Sequence, residues 1–213
     1  MIRQLFDALM RAYGPQRWWP GDTGFEVALG AVLVQNAAWR NAEKALAELR
    51  GAGALSAPVL LSLPETALHA LLRSSGTFRV KSERARALAA WWVERAAFAP
   101  AVETVELRSE LLSIKGIGPE TADCIVLYVF GRPVFVVDAY ARRLLGRAGV
   151  GWADAGYEKL RARLEEELPE DPHWLGEAHA VCIAHGQATC RRNPRCSECE
   201  VRRWCVTGRV HDQ

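Results

Sequence analysis

Apolar residues return at every third or fourth position along almost the whole chain. That period, and not the two-residue alternation of strands, confines the fold to packed helices. Ala122, Ile125, Val126, Val129 and Phe130 show it after Pro119, and Leu160, Leu164 and Leu168 show it before Pro169. The pattern predicts helices near 2–13, 25–36, 39–50, 64–73, 81–98, 104–113, 119–130, 138–147, 156–168 and 172–187. Pro64, Pro119 and Pro172 are read as first-turn residues, where a missing N–H costs nothing. Asp138 is read as an N-cap. Val134–Val137 is extended but has no partner strand, so it is read as a linker. Gly51–Ala54 is read as a mobile loop and 207–213 as a frayed end. The expected class is all-α.

The 213 residues suffice for one large domain or two small ones. A net charge of +2 does not by itself announce a nucleic-acid binder. The distribution says more. Arg191, Arg192, Arg195, Arg202, Arg203 and Arg209 crowd the C-terminal end, opposed in that stretch only by Glu198 and Glu200. Arginine suits bidentate phosphate contacts, although a solvated tail has the same composition. Eight Trp residues raise the question of a flat ligand, against their simpler use as core filling. No apolar run approaches a membrane span. Met1-Ile2-Arg3-Gln4-Leu5 leads straight into an amphipathic pattern with no export signal. The expected setting is the cytoplasm, where thiols stay reduced.

Four of the six cysteines, Cys190, Cys196, Cys199 and Cys205, follow the spacing C-x5-C-x2-C-x5-C. In a reducing compartment such a cluster points to metal and not to disulfides. Structural zinc sites commonly separate two C-x2-C knuckles by a longer module. A compact four-cysteine loop suits a 4Fe-4S cluster equally well or better, with Zn as the alternative. Cys124 and Cys182 fall on apolar helix faces and are read as buried hydrophobes.

Leu112-Ser113-Ile114-Lys115-Gly116-Ile117-Gly118-Pro119-Glu120-Thr121-Ala122 reads as a helix, a tight Gly-Ile-Gly turn and a new helix started by Pro119. Glycines let backbone N–H groups approach a ligand, and a helix N-terminus attracts anions. Lys115 adds charge. A G-x-G turn also occurs in many plain helical hairpins. Twenty residues past Gly118 comes Asp138, which alone reads as a helix cap.

Together these segments carry a resemblance. L-x-x-I-x-G-I-G-x-x-T-A, then F-G-R-P-V-x-V-V-D, then the four cysteines, resemble the helix-hairpin-helix DNA glycosylases of the endonuclease III superfamily. Phe25-Glu26-Val27-Ala28-Leu29-Gly30-Ala31-Val32-Leu33-Val34-Gln35-Asn36 fits the same superfamily. The resemblance covers about Phe25 to Cys205. It implies a two-domain all-α fold: a six-helix barrel domain with the hairpin at 21–133, and a cluster-bearing helical domain from 1–20 and 134–213. It places the active site in a cleft between them. It implies a monomer acting on double-stranded DNA that contains a damaged base, with no membrane partner. Lys115, Gly116, Ile117 and Gly118 would bind phosphates, Asp138 would be the catalytic carboxylate, and Gln35 would fill the gap left by a flipped base.

The chain departs from the pattern in three places. Members that nick DNA carry a lysine where Glu120 stands, and a carboxylate forms no imine; the expectation is a monofunctional glycosylase. The first cysteine gap is one residue shorter than the commonest form. A leucine wedge of the family falls at Thr77, so Phe78 or another group would intercalate instead. For the base, Tyr13…Trp18-Trp19-Pro20 with Gln35-Asn36-x-x-Trp39, and Gly-Ile-Gly-x-Glu in the hairpin, look like the 3-methyladenine DNA glycosylase branch. There Trp18, Trp19 and Trp39 would hold a cationic alkylated purine; stapling of the N-terminal segment is their structural alternative. Removal of oxidised pyrimidines or uracil, a catalytically silent damage sensor, and a zinc-stabilised module unrelated to DNA are the competing readings.

Overall fold

The computed structural model describes residues 1–210, and every regular element among them is helical. The chain divides into two compact units, Trp19–Phe130 on one side and Met1–Trp18 with Gly131 onward on the other. The second of these begins with α1 (Ile2–Tyr13).

The unit Trp19–Phe130 holds α2 (Gly24–Leu33), α3 (Trp39–Gly51), α4 (Ala57–Ser62), α5 (Glu65–Leu72), α6 (Phe78–Arg95), α7 (Thr104–Ser113) and α8 (Pro119–Tyr128). α2 is its central rod. Every residue from Phe25 to Leu33 is buried, and α3, α6 and α8 pack around it. Each fully buried Leu or Phe contributes roughly 1.5–3 kcal/mol of transfer free energy. The helix starts at Thr23, whose hydroxyl accepts from the Glu26 N–H at 3.2 Å. Glu26 is itself buried, and a buried carboxylate needs partners. Arg50 of α3 pairs with it, and the Asp22 N–H donates to it at 3.0 Å. At its other end, the buried Lys81 ammonium of α6 donates to the Leu33 carbonyl at 2.7 Å and to the Ser75 carbonyl. A cation there also offsets the helix dipole.

α7 and α8 form the hairpin. Leu107 and Leu111 on one helix and Ala122, Ile125 and Val126 on the other bury its apolar face. Arg108 crosses from α7 to α8 and donates twice to Asp123, Nε to Oδ1 at 2.6 Å and Nη2 to Oδ2 at 3.2 Å.

The other unit adds α9 (Ala139–Ala148), α10 (Tyr157–Glu167), α11 (Pro172–Ala188) and α12 (Val206–Val210) to α1. α1 lies along α11, and Phe6 fills the space against Phe135 and Trp174. Val134–Val137 is extended, buried and without a strand partner among the described residues. Two of its N–H groups go to side chains, Phe135 to Glu165 at 2.9 Å and Val137 to the Tyr157 hydroxyl at 3.4 Å, and that of Val134 goes to the Arg132 carbonyl at 2.9 Å. α9 packs on α11 because Gly186 has no side chain. A Cβ there would fall 2.2 Å from the Tyr140 ring.

Several boundaries differ from those expected. α4 lies where no helix was predicted, since six residues with an internal Pro58 give too short a period to read. α6 begins at Phe78, a turn before 81, and α2 stops at Leu33, three residues before 36. Pro64 caps α5 from outside its first turn. Gly51–Ala54 is no open loop: the Ala54 N–H bonds the Leu49 carbonyl at 2.8 Å, and Ala54 is fully buried. Residues 206–210 are helical where fraying from 207 was expected, and 211–213 lie outside the described residues.

Candidate functional site

The hairpin turn is built by two backbone choices. Gly116 adopts φ 87°, a left-handed conformation that strains other residues. The Ile117 N–H closes back onto the Ile114 carbonyl at 3.0 Å. Ile117 is 5% exposed, so its side chain anchors the turn in the core. Gly118 then caps α8, with open space where a Cβ would stand. Among the described residues, no protein acceptor takes the Gly116 or Gly118 N–H. Lys115 beside them is exposed and paired with Glu83 at 2.9 Å. The turn therefore presents free donors at the positive end of a helix, which is the chemistry of a phosphate site. Glu120 is exposed on the first turn of α8.

Gln35 stands where α2 has just ended, and its amide is engaged with this turn. Nε2 donates to the Gly116 carbonyl at 3.1 Å and to the Thr121 hydroxyl at 2.8 Å, while Oε1 accepts from Arg84. The next residue, Asn36, has φ 52° and an exposed side chain. The roles of Thr121 and Arg84 were not legible in the sequence, because both belong to contacts between distant segments.

Of the three tryptophans expected around a base, Trp19 and Trp39 meet within Trp19–Phe130. Their centroids are 5.3 Å apart, with perpendicular rings. Tyr128 joins from the end of α8 at 5.6 Å from Trp19. Gly30 lets the Trp19 indole lie on α2, since a Cβ would be 3.1 Å from its Nε1. Two perpendicular rings do not form a parallel sandwich. With Tyr128 they make an electron-rich, half-buried aromatic corner. Trp18 belongs to the other unit and is half-buried.

Asp138 is the N-cap of α9. Its Oδ1 accepts the Ala141 N–H at 2.7 Å. Its Oδ2 lies 3.6 Å from Nε2 of the buried His179 on α11. The side chain keeps 10% of its surface. One oxygen is thus spent on the helix, and the other remains beside a polar ring. His179 was not expected from the sequence; an isolated histidine on an apolar helix gives no signal.

The four C-terminal cysteines are free and line one pocket, with Leu144, Pro194 and Val201 in its walls. Burial pushes the Cys199 and Cys205 thiols up, and neighbouring thiols of the set push further in the same direction. N–H donors already face the sulfurs. Arg147 donates to Cys190 Sγ at 3.3 Å, and the Gly208 N–H to Cys205 Sγ at 3.4 Å. His185 lies 3.9 Å from Cys199 Sγ and 3.0 Å from the Tyr13 hydroxyl. Burial, with Arg143 adding to it, pushes the His185 pKa down to about 4, so its ring is neutral near pH 7. Cys124 and Cys182 are buried, as their helix faces predicted. Of the loop arginines, Arg191 and Arg192 give their carbonyls to Arg147, and Arg203 stacks on Trp204 at 3.6 Å.

Comparison with known proteins gives a consistent result. Residues 29–170 match the profile of the HhH-GPD superfamily base excision DNA repair protein. A Methanocaldococcus jannaschii protein described as a DNA repair glycosylase is 36% identical over 97% of this chain and 96% of its own. Endonuclease III of Thermotoga maritima is 30% identical over 85% of this chain and 82% of its own. Two solved structures share the fold. An endonuclease III–DNA complex has a TM-score of 0.84 at 22% identity, covering 99% of this chain and 96% of its own. The H. pylori 3-methyladenine DNA glycosylase bound to 1,N6-ethenoadenine has 0.75 at 24%, covering 86% and 96%.

Proposed function

This chain belongs to the HhH-GPD superfamily of base excision DNA repair proteins, and from that premise we propose that it is a monofunctional glycosylase releasing alkylated purines from double-stranded DNA. The observation that carries the reading is the pair of features in one chain: a glycine turn with unclaimed N–H donors, and an Asp138 carboxylate with Oδ2 left over from capping.

Alkylation at N3 or N7 makes a purine cationic. When its C1′–N bond breaks, the bonding pair moves to the base and neutralises it, so no acid is needed at the leaving group. The sugar is left oxocarbenium-like. Asp138 stabilises that charge, or takes the proton of the water whose oxygen bonds to C1′. Extruding a damaged base costs a few kcal/mol, less than extruding a paired one. The electron-rich corner of Trp19, Trp39 and Tyr128 selects a cationic base by stacking and cation–π attraction, worth up to ~2 kcal/mol once water is excluded. Trp18 is assigned to the same task. The turn at Lys115–Gly118 holds the backbone.

The absence of strand cleavage rests on Glu120, which stands where an imine-forming lysine is needed. Lys81 is buried under two carbonyls, and Lys115 lies in the turn before α8 and not at the Glu120 position.

Cys190, Cys196, Cys199 and Cys205 fit a 4Fe-4S cluster. Their sulfurs surround a pocket, with N–H groups directed at two of them, as cluster thiolates require. Their C-x5-C-x2-C-x5-C spacing lacks the longer module that commonly separates the two knuckles of a structural zinc site. Cys190, Cys196, Cys199 and Cys205 would hold the cluster, which would supply a cross-link to the loop that carries Arg191, Arg192, Arg195, Arg202 and Arg203.

A second reading is removal of oxidised pyrimidines, which the similarity to the Thermotoga maritima endonuclease III favours. Duplexes carrying 3-methyladenine, uracil or an oxidised pyrimidine, incubated with the protein and read with and without alkali, separate the two. Release of 3-methyladenine with breakage only after alkali is the expected result. Release of the oxidised pyrimidine with breakage before alkali is the result of the second reading. A broad visible absorption band of the brown protein identifies the cluster, and a colourless zinc-bearing protein would exclude it.

A further inference from the structure

His185 stands in the wall of the cysteine pocket and touches the cysteine loop at two places. Its backbone carbonyl accepts the Thr189 N–H at 2.9 Å and the Cys190 N–H at 2.8 Å, so the last turn of α11 delivers the first cysteine. Its ring reaches the third, with Nε2 3.9 Å from Cys199 Sγ. Cys199 also takes a backbone hydrogen bond from Val201. The other ring nitrogen, Nδ1, lies 3.0 Å from the Tyr13 hydroxyl, which is itself 3.1 Å from the Thr189 hydroxyl. The Tyr13 ring meets the imidazole edge-on, with centroids 5.7 Å apart. His185 is 2% exposed. The last residue of α1 is thereby joined through one buried imidazole to Cys199.

A coordinating thiolate carries no proton and can only accept a hydrogen bond. The ring nitrogen facing Cys199 is then its donor. A half-turn of the ring would carry Nε2 away from the sulfur, and the two hydroxyls at Nδ1 oppose that turn. We propose that His185 is an N–H donor to the Cys199 sulfur of the bound cluster, and that Tyr13 is the positioning residue that keeps it there. α1 thus helps to set the cluster's reduction potential and its resistance to iron loss. The proposal rests on the reading of the four cysteines as a 4Fe-4S site. An N–H dipole aimed at a ligand sulfur favours the more electron-rich state of a cluster, so its removal lowers the potential.

The experiment uses the full chain purified with its iron, in the absence of DNA. Protein-film voltammetry gives the one-electron potential, and the visible band followed under an iron chelator gives the rate of iron loss. Tyr13→Phe keeps the ring and removes the hydroxyl. It is expected to shift the one-electron equilibrium about threefold toward the oxidised state, ~28 mV more negative, and to speed iron loss about threefold. His185→Leu removes the donor and is expected to move both readouts further the same way. Adding Tyr13→Phe to it changes nothing more, because the hydroxyl acts through the ring. His185→Gln carries an amide N–H and recovers most of the native potential. Should His185→Leu fail to fold, Tyr13→Phe and His185→Gln still decide the matter. Trp174→Phe removes the Trp174 bond to Asp7, which lies six residues before Tyr13, ~9 Å along α1. It is expected to lower the melting temperature and leave the potential unchanged. A native potential in Tyr13→Phe, additive shifts, no recovery in His185→Gln, or an equal shift in Trp174→Phe overturns the proposal and leaves the contact to packing alone. A native chain that purifies colourless and without iron ends the cluster reading itself, and the proposal with it.

Discussion

Arg108 holds Asp123 with two parallel N–H donors, and the Asp123 side chain is completely buried. This pair ties α7 to α8 directly behind the glycine turn. Removing one member leaves a buried charge unpaired, which typically costs about 3–5 kcal/mol. Asp123→Ala is therefore expected to lower the urea midpoint by that amount of stability. The double change Arg108→Met with Asp123→Leu, which removes both charges, is expected to recover most of it. Chemical denaturation of the three proteins checks the ordering.

His179 provides the polar neighbour of Asp138 Oδ2. His179→Ala is expected to slow base release about tenfold at saturating protein, the scale of one lost polar interaction. Binding of an abasic duplex stays within about twofold. His179→Gln restores a donor and recovers much of the rate. Single-turnover kinetics beside binding isotherms separate these outcomes, and a variant that changes affinity alone assigns His179 elsewhere.

The chain should form no covalent intermediate. Incubation with a lesion duplex and borohydride is expected to give no cross-linked band on a denaturing gel. Glu120→Lys places an exposed amine on the first turn of α8 and is expected to produce one. A band from the unaltered protein would mean that one of its own amines attacks the sugar.

Acid stability has one identifiable contributor on the hairpin. The Arg95 guanidinium, hydrogen-bonded to Glu110, holds that carboxyl below the ordinary value of 4.5; burial opposes this, and the Trp91 N–H supports it. A depressed carboxyl adds stability above its unfolded pKa and loses it as pH falls through the folded one. Glu110→Gln is thus expected to melt slightly lower at pH 7, and its melting temperature should fall less than that of the native protein as pH drops below 4.5. The pair is largely solvent-facing, so the difference is small. Parallel melting curves across that window would assign the acid loss to other groups.

What the sequence made legible follows from the range of the interactions involved. α8 and α9 carry their start signals locally, in Pro119 and Asp138, and both begin within a residue of the expected position. The cysteine spacing is local as well, and the four thiols meet in one pocket. α4 was invisible because a six-residue helix completes fewer than two turns. The bond from Gln35 to Gly116 joins residues 81 apart, and the approach of His179 to Asp138 depends on a glycine at 186. Neither leaves a periodic trace. The tryptophans were legible as an aromatic patch, but their perpendicular packing was not, since ring angles depend on neighbours such as Tyr128.

The most direct test is the rate of 3-methyladenine release by Asp138→Asn. Asparagine caps a helix as well as aspartate does, so α9 keeps its start and the protein its fold. Only the negative charge is gone. With protein in excess over the lesion duplex, release is expected to fall on the order of a thousandfold while the duplex is still bound. Release at the native rate would contradict the assignment of Asp138 to the chemistry.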